Sequence, residues 1–430
     1  MPGVVYTFIF YLSLSSSVMS THQDIVVLGA SFAGISTAHY VLKHVIPTLP
    51  KEGNYRLTLV SPTDEFYYRV GAPRVVINAT DLPYEKVFKS VTEGFKQYGS
   101  QFNFVHGAAT AWDTAARNIT VQLSEGGAAY TLPYLALVVA TGVKTYSPLF
   151  SAGERPDATR AAITAFRNAL PKAKSIIIAG GGPAGVETAG EIGEFLNGSA
   201  GMFSSRPANP KATITVVTAD DKLLPILRPA LAKQAEIMLN KFGVDVVYSK
   251  KVTKVEPEGA GYDLDKVATG PVTVSLSTGE KLEADLYIPA HGVRPNTEWV
   301  PPSLLNARGY IEANAKTSRV EIAGERVYVV GDVAGFARGG ILDINNSVPI
   351  MSAVLKRDLL DAGKNQPALK EITMNTGESQ FVVIGKSKGV GAFNGMKFPS
   401  FIVSLIKGRD YLVGNSYGLL DGSNFKKEAK

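Results

Sequence analysis

Short apolar runs alternate along the chain with stretches of helical periodicity. The segment DIVVLGA at 24–30 is a run of the kind that forms a buried parallel strand, and a helical stretch from about Ala33 to His44 follows, ended by Pro47. A second apolar run, RLTLVSP, lies at 56–62. Strand, glycine turn, helix and strand in this order predict one βαβ unit.

The same order returns in the middle of the chain. SIIIAGGGPAGVETAGEIGEFLNG at 175–198 is followed by ATITVVTADD at 212–221, which predicts a second βαβ unit and an internal duplication of architecture. Later, RVYVVGDVAGF at 326–336 reads as a buried strand that ends in Gly331-Asp332. A further helix is predicted near Pro349, because proline suits the first position of a helix.

The first glycine turn, GASFAG, departs from the GxGxxG pattern at its middle position. Its residues are Gly29, Ala30, Ser31, Phe32, Ala33 and Gly34. A dinucleotide pyrophosphate needs close approach of the backbone at a helix N-terminus, where unpaired N–H groups favour negative charge. Serine is small and can donate to a phosphate oxygen, so we expect Ser31 to be tolerated if its φ stays negative.

The second turn, GGGPAG, satisfies the full pattern at Gly180, Gly182 and Gly185. It follows a short apolar strand and precedes a helix, as a dinucleotide site requires. Two such turns, one near the start of each unit, are much harder to obtain by chance than one.

The ends of the second strands bear on the choice of nucleotide. Ser61 stands in the first unit where an acidic residue usually binds the adenosine ribose, and in the second unit Asp220 and Asp221 lie just beyond Thr218. No arginine is there to receive a 2′-phosphate, which favours NADH over NADPH. Alternatively, the two aspartates only cap a turn.

Two carboxylates are candidates for chemistry. Glu187 lies near the second turn, and we expect it beside the nicotinamide; a solvated helix face is the alternative, and it explains Glu191 and Glu194 well. Asp332, at the end of its strand, is placed to accept a hydrogen bond from a ribityl hydroxyl. A turn-forming or helix-capping aspartate is the alternative.

Composition removes several classes of function. The 430 residues include no cysteine, which excludes thiol nucleophiles, thiolate zinc sites and iron–sulfur clusters. The five histidines lack metal-ligand spacing, so we expect no metal site, and no hydrolase motif is present. The net charge of +6 is spread without a run of five basic residues, which favours a solvated surface over specific nucleic-acid binding.

Two segments are candidates for membrane contact. Residues 1–20 contain an apolar stretch from Val4 to Leu14, which is either a signal or anchor or a dispensable extension before Met19. The segment from Met396 to Leu412 places apolar residues near helical spacing with basic residues around them. A core helix is the alternative for this second segment. The compartment, membrane-associated, mitochondrial or cytoplasmic, stays open, as does the oligomeric state.

Taken together, the motifs resemble the two-dinucleotide-domain flavoproteins over about residues 24–415. The likeness is strongest to apoptosis-inducing-factor homologues of the ferroptosis-suppressor and fungal inducer-of-death type, with type II NADH dehydrogenases a step further away. The stretches that carry it are VVLGASFAGISTA, VSPTDEFYYRVGAPR, LVVATG, IIIAGGGPAGVETAGEI, IPAHGVRPNT, VYVVGDVAG and the tail KGVGAFNGMKFPSFIVSLIKGRDYLV.

The resemblance implies an α/β fold with two Rossmann-like domains and a small C-terminal α+β domain. An FAD-binding domain (21–145 and 284–348) would carry an inserted NAD(P)-binding domain (146–283), with the C-terminal domain at 349–430 and an apolar extension at 1–20. FAD would contact Gly29, Ala30, Ser31, Phe32, Ala33, Gly34, Arg74, Val105 and Asp332. NAD(P)H would lie on Gly180, Gly182 and Gly185, with Glu187 alongside as the catalytic residue.

The activity that the resemblance implies is hydride transfer from NAD(P)H to FAD, followed by reduction of a quinone-like acceptor. Disulfide reductases of the same superfamily need paired cysteines beside the flavin, so this chain is not one of them. Two alternatives stay open: a flavin oxidoreductase acting on a biosynthetic small molecule, and a DNA-binding death effector of the same fold. The absence of a basic helix speaks against the second.

Overall fold

The computed structural model describes residues 22–78, 80–124, 126–153, 155–263, 265–360, 368–374 and 377–428. The apolar extension at 1–20 lies outside these residues. The strands in chain order are β1 (Gln23–Leu28), β2 (Tyr55–Ser61), β3 (Glu65–Tyr67), β4 (Phe88–Ser90), β5 (Phe102–Asp113), β6 (Asn118–Leu123), β7 (Ala129–Pro133), β8 (Ala136–Val139), β9 (Val143–Lys144), β10 (Ser175–Ala179), β11 (Thr213–Val217), β12 (Val244–Val247), β13 (Val252–Glu256), β14 (Val272–Leu276), β15 (Lys281–Ala284), β16 (Leu286–Pro289), β17 (Arg294–Pro295), β18 (Val327–Val329), β19 (Gln380–Ile384), β20 (Lys388–Phe393) and β21 (Met396–Lys397).

The helices connect and cover these strands. In chain order they are α1 (Phe32–Tyr40), α2 (Ala72–Val75), α3 (Tyr84–Val87), α4 (Pro156–Ala169), α5 (Pro183–Asn197), α6 (Pro229–Asn240), α7 (Ile341–Leu359), α8 (Ser400–Val403) and α9 (Asn415–Leu420). Wider or tighter helical turns extend several of them, such as the π-helical turn at Val41–Val45 after α1.

The first sheet has the strand order β18-β8-β1-β2-β5-β6-β7, and its first five strands run parallel. Parallel strands are buried on both faces, which explains why β1 is apolar without interruption. Ile25 and Val27 of β1 join the core under α1 and α7, whereas Val26 and Leu28 join the core on the opposite face. The predicted α/β fold is confirmed, and the first βαβ unit lies at the centre of this sheet.

The second sheet is parallel as well, with the order β12-β11-β10-β16. It includes β16 at Leu286–Pro289, whose Ile288 pairs with Ile178 of β10. The boundary expected at residue 283 is therefore too early, because the last strand of the second unit follows it. An antiparallel sheet of β13, β14 and β15 packs beside this unit.

The chain passes between the two units twice, and the two crossings pair with each other. Lys144 of β9 lies opposite Arg294 of β17, and Val143 lies opposite Pro295, in a two-stranded antiparallel ribbon. Downstream of this ribbon the chain returns to the first sheet as β18, whose Val329 pairs with Val139 of β8.

Helix α7 differs from the sequence expectation. It begins at Ile341 after Gly340, and Pro349 lies inside it rather than at its first position. Gly339 and Gly340 have φ values of +89° and +99°, a conformation that breaks helical geometry and sets the true start. Since α7 packs its buried face into the core of the first unit, the boundary expected at 348/349 falls within a helix.

The C-terminal part adds the antiparallel sheet β19-β20-β21, which packs on α5 and α6 of the second unit. The contact with α5 is close, because a Cβ on Gly190 would lie 2.9 Å from the backbone nitrogen of Gly385. Among the residues that the structure describes, no helix has both the length and the apolar character needed to cross a bilayer.

Candidate cofactor-binding site

The first glycine turn joins β1 to α1 with almost no free space. A Cβ on Gly29, whose φ is +102°, would lie 2.5 Å from the carbonyl oxygen of Ala140, and one on Gly34 would lie 1.7 Å from the carbonyl oxygen of Gly29. No side chain fits at either position. The helix N-terminus therefore approaches the strand closely, as pyrophosphate binding requires.

The second turn repeats this geometry in the second unit. Gly180 has a φ of +130°, and its Cβ would lie 2.4 Å from the carbonyl oxygen of Ala290. A Cβ on Gly185 would lie 2.0 Å from the carbonyl oxygen of Gly180. The correspondence with Gly29 and Gly34 shows that the two units use the same packing between strand and helix.

The middle position of both turns tolerates a side chain. Ser31 is the N-cap of α1 with a φ of −112°, which is negative as its tolerance required, and its hydroxyl does not cap the helix. Gly182 is the N-cap of α5 with a φ of −77°, and a Cβ there would meet nothing within 4 Å. Serine at this position leaves the turn intact.

A cleft of about 790 Å³ opens at the carboxyl ends of the strands in the first sheet. Its lining from the first unit and the linkers includes Gly29–Ala33, Val60–Thr63, Gly107–Thr110, Ala140–Lys144, Asn296, Glu298, Trp299 and Asp332. Carboxyl ends of parallel strands are where nucleotides bind in such sheets, and the volume lies within the ordinary range of ligand sites.

The lining residues fit the pyrophosphate of FAD. The first turn of α1 has no acidic residue to oppose an anion, and its backbone N–H groups begin directly at the cleft. Ser61 lines the adjoining end of β2, where its hydroxyl accepts a hydrogen bond from the backbone nitrogen of Thr63 at 3.3 Å. An alcohol therefore stands where a ribose hydroxyl would meet a carboxylate in the usual pattern.

Asp332 lies at the cleft and also contacts the start of α7. It lines the cleft, and its Oδ1 accepts a hydrogen bond from the backbone nitrogen of Gly340 at 3.0 Å, which fixes the start of α7. Its Oδ2 accepts a hydrogen bond from Arg69 at 2.7 Å. Arg69 also lines the cleft, although no motif in the sequence pointed to it.

Val105 is close to the cleft but does not line it. The residue lies in β5 opposite Val60, and the lining begins two positions later at Gly107. The small side chains of Gly107–Thr110 leave room for a ligand in the cleft. This run of small residues is the feature of the sequence that could have identified them as lining residues.

Arg74 is not among the residues that line the cleft. It is buried, and its guanidinium donates to Glu191, with the shortest contact 2.6 Å from Nη2 to Oε1. It also donates to the carbonyl oxygens of Gly408 and Arg409, at 2.6 Å and 3.0 Å. The structure therefore places Arg74 at a junction of α2, α5 and the C-terminal part rather than against the expected FAD site.

Glu187 is likewise on the face of α5 that meets the C-terminal part, and it does not line the cleft. Its Oε1 accepts hydrogen bonds from the backbone nitrogen of Val383 at 3.1 Å and from Lys407 at 2.5 Å. Burial raises the pKa of Glu187, and the charge of Lys407 opposes that rise. These contacts hold its carboxylate at the junction with the C-terminal part, and a place beside the nicotinamide stays a prediction.

The second turn does not line this cleft either. Its Gly181 packs against the buried Thr218, whose Oγ1 would lie 2.7 Å from a Cβ on that glycine. The exposed Asp220 donates its backbone N–H to Thr218 Oγ1 at 3.2 Å, and Asp221 follows, also exposed. Both carboxylates stand at the carboxyl edge of the second sheet.

An aromatic and basic cluster near the ribbon was missed at the sequence level. The guanidinium of Arg294 lies 5.1 Å from the ring centre of Tyr146 and 4.6 Å from that of Tyr262. His291, which follows β16 beside the second turn, lies 5.2 Å from Tyr146. Burial lowers the pKa of His291. The loop between β13 and β14 brings Tyr262 there from a distant part of the sequence.

Two close-packed dinucleotide turns, each at the start of a βαβ unit, define an NAD(P)H-dependent flavoprotein oxidoreductase. The chain belongs to the pyridine nucleotide-disulphide oxidoreductase family, whose profile matches residues 23–354. Membership confirms the resemblance found in the motifs, together with FAD as the cofactor and NAD(P)H as the substrate.

Two curated relatives are similar to almost the whole chain, and a solved structure shares its fold. The chain is 45% identical to the oxidoreductase phnG of Penicillium herquei, over 96% of this chain and 100% of that protein. It is 26% identical to ferroptosis suppressor protein 1 of Homo sapiens, over 93% of this chain and 96% of that protein. The structure of NDH2 from Plasmodium falciparum in complex with NADH matches with a TM-score of 0.64 at 13% identity, over 95% of this chain and 100% of that chain.

Proposed function

We propose that this protein oxidises NAD(P)H and reduces a quinone-like acceptor, with FAD as the intermediate carrier. Two observations support this proposal most strongly. In the two turns Gly34 and Gly185 admit no side chain, and the sequence contains no cysteine. Bound FAD supplies the hydride acceptor and returns the electrons to a second substrate. Without a thiol in the chain, the second substrate must take the electrons from the flavin directly.

The residues of the cleft have distinct tasks in this proposal. The N-terminus of α1, with Ser31 at its cap, would hold the pyrophosphate. Asp332 would accept hydrogen bonds from the ribityl chain, and Arg69, which also lines the cleft, would supply a cation to the bound FAD. The same carboxylate accepts a hydrogen bond from the backbone nitrogen of Gly340, so the side chain that would meet the ribityl chain is held at the start of α7.

The choice between nicotinamide nucleotides follows from the second unit. Asp220 and Asp221 are exposed at the strand end where the adenosine ribose would lie, and they would repel a 2′-phosphate. We expect NADH to be preferred over NADPH. The complex of Plasmodium falciparum NDH2 with NADH is consistent with this preference.

The experiment is anaerobic flavin reduction followed by acceptor turnover. The purified protein should be yellow, NADH should bleach the flavin faster than NADPH does, and a panel of quinones should restore the colour faster than oxygen does. A colourless preparation that FAD does not reconstitute contradicts the whole proposal. A flavin that NADH reduces but that no quinone reoxidises faster than oxygen contradicts only the acceptor.

A further inference from the structure

Large apolar side chains are exposed close together in the C-terminal part. They are Phe393 (41% exposed), Met396 (66%), Phe401 (68%), Leu405 (75%) and Ile406 (36%), which we call the C-terminal patch. Phe393 and Met396 face each other across the turn between β20 and β21, and the others lie on α8 and the helical turn Ser404–Gly408. Concentrated exposure of this kind marks a contact surface.

The orientation of α8 explains why this patch points outward. Val403 is fully buried with Val383 and Tyr411, and a Cβ on Gly389 would lie 2.7 Å from Val403 Cγ1. Phe401 and Leu405 are one helical turn apart, so they share the opposite side. The sequence left a core helix and a membrane-facing segment open, and the structure puts only part of this segment in the core.

Within the segment that carries the patch the charges are all positive, and the nearest acidic residues in the sequence, Glu378 and Asp410, flank it. Residues 385–409 contain no aspartate or glutamate, and their basic residues are Lys386, Lys388, Lys397, Lys407 and Arg409. Lys386 pairs with Asp81, and Lys407 pairs with Glu187. Lys388, Lys397 and Arg409 are exposed at the surface beside the apolar side chains. Apolar side chains bordered by cations match the chemistry of an anionic lipid surface.

We propose that the C-terminal patch seats the protein peripherally on anionic membranes. Phe401 and Leu405 enter the boundary between headgroups and acyl chains, and the lysines contact the headgroups. A second copy of the chain fits the patch less well, because a symmetric dimer places the same surface on both sides and brings the cations together. This inference goes beyond the proposed function and does not depend on it.

Vesicle flotation of the full chain tests the apolar contribution. Vesicles of phosphatidylcholine with phosphatidylserine should bind the protein, and the Phe401→Ser/Leu405→Ser double variant should bind at least about ten-fold more weakly. The control is Ile322→Ser, because Ile322 is 72% exposed on a turn of the first unit, and it should bind like the unchanged protein. Equal binding by the double variant overturns the proposal.

The basic contribution has its own test. Lys388→Gln and Lys397→Gln should each weaken binding about five-fold on vesicles with phosphatidylserine and have little effect on phosphatidylcholine alone. Lys51→Gln, at an exposed lysine near β2, serves as the matched control. If phosphatidylserine changes the binding of neither the unchanged protein nor the variants, the proposed role of the cations is contradicted.

A local probe distinguishes the patch from any other contact. Because the chain has no cysteine, Leu405→Cys and Ile322→Cys each create a unique site for an environment-sensitive fluorophore. The label at 405 should shift to the blue on anionic vesicles, and the label at 322 should not. A blue shift at 405 that depends on protein concentration without vesicles shows self-association, and it overturns the proposal in favour of a second copy.

Discussion

In the two dinucleotide turns, some positions admit only glycine and others have room for a side chain. Gly34 and Gly185 sit against a backbone carbonyl of their own turn, at distances that no side chain accommodates. Ser31 and Gly182 cap their helices with extended backbone and negative φ. A single substituted glycine in such a motif therefore carries little information until its position in the turn is known.

This contrast gives a matched pair of variants in the second turn. Gly185→Ala should weaken NAD(P)H binding at least about ten-fold and destabilise the protein by about 1–3 kcal/mol, because the added methyl group must displace the backbone. Gly182→Ser should leave the stability nearly unchanged, since its Cβ meets open space, and its effect on NAD(P)H affinity measures how closely the pyrophosphate approaches that space. Steady-state KM values and thermal unfolding measure the two effects, with bound flavin as the control because the first turn is untouched.

Equal losses of NAD(P)H affinity in both variants would show that the pyrophosphate fills the space beside Gly182. The assignment of Ser31 as a tolerated substitution would then need revision.

His39 shows how a buried side chain joins distant parts of the chain. It is fully buried in α1, its ring stacks on Phe95 at 4.0 Å, and Nε2 donates to the carbonyl oxygen of Leu420 at 2.8 Å. The hydroxyl of Tyr98 donates to Nδ1 at 2.8 Å. Burial is the main reason that the pKa of His39 falls to about 4.

The pH dependence of stability follows from this lowered pKa. The unfolded chain binds the proton more tightly than the folded one, so the stability due to neutral His39 is present above about pH 6.5 and is lost as pH falls toward 4. At pH 5 the loss should be about 2 kcal/mol relative to pH 8. Urea unfolding at both pH values should show a smaller difference in His39→Leu than in the unchanged protein. An identical difference would mean that His39 titrates normally.

Among the elements, α5 connects the three parts of the molecule. Its N-terminus forms the second dinucleotide turn, and its buried face carries Glu187 and Glu191 toward the C-terminal part. Glu191 binds Arg74 of α2 and accepts a hydrogen bond from the hydroxyl of Tyr411 at 3.1 Å. Inside the structure, two carboxylates are thus paired with two cations: Glu191 with Arg74, and Glu187 with Lys407.

A double-mutant cycle on Arg74 and Glu191 tests this balance. Arg74→Met should destabilise the protein by about 3–5 kcal/mol, because it leaves a buried carboxylate without its cation. Adding Glu191→Leu should restore part of that loss, since no unpaired charge remains. Thermal unfolding of the single and double variants measures the coupling. Strictly additive effects would show that the two side chains do not interact.

The elements also show which features the sequence could reveal. The apolar run of β1, the glycine turn and α1 are neighbours in the chain, so local periodicity was enough to predict them. The sequence prediction places the start of α7 too late, because Pro349 suits a first helical position. The positive φ values of Gly339 and Gly340, which set the true start, depend on the folded backbone. The partners of Arg74 and Glu187 lie 117 and 220 residues away, and no local pattern reports a contact at such a separation.

At the scale of the whole molecule, the cleft is shared between parts. Most of its lining comes from the first unit, but Arg155 and Asp265 reach it from the segment between β9 and β17. A ligand that fills the cleft therefore contacts both the first unit and the segment inserted between β9 and β17. Flavin occupancy should for this reason affect the stability of the whole protein.

Removal of FAD should lower the thermal unfolding midpoint in a concentration-dependent way. A free FAD concentration of about 100 times Kd should restore about 2.7 kcal/mol. FMN should restore less, because it cannot occupy the adenosine side near Ser61. Gly34→Ala should show no response to FAD, since its helix cannot approach β1. Differential scanning measurements on apoprotein check this, and a full response to FMN would contradict the orientation given to the cofactor.

The pairing of Lys144 with Arg294 has a consequence for the ancestry of the molecule. The point where the chain leaves the first sheet and the point where it comes back are neighbours, so the intervening stretch begins and ends at the same place. A coding segment can enter or be exchanged there without shifting the register of β8 against β18. Modular recombination could thus give the same flavin-binding body a different nucleotide-binding insert, provided that the new insert kept the contacts of α5 with Arg74 and with β19.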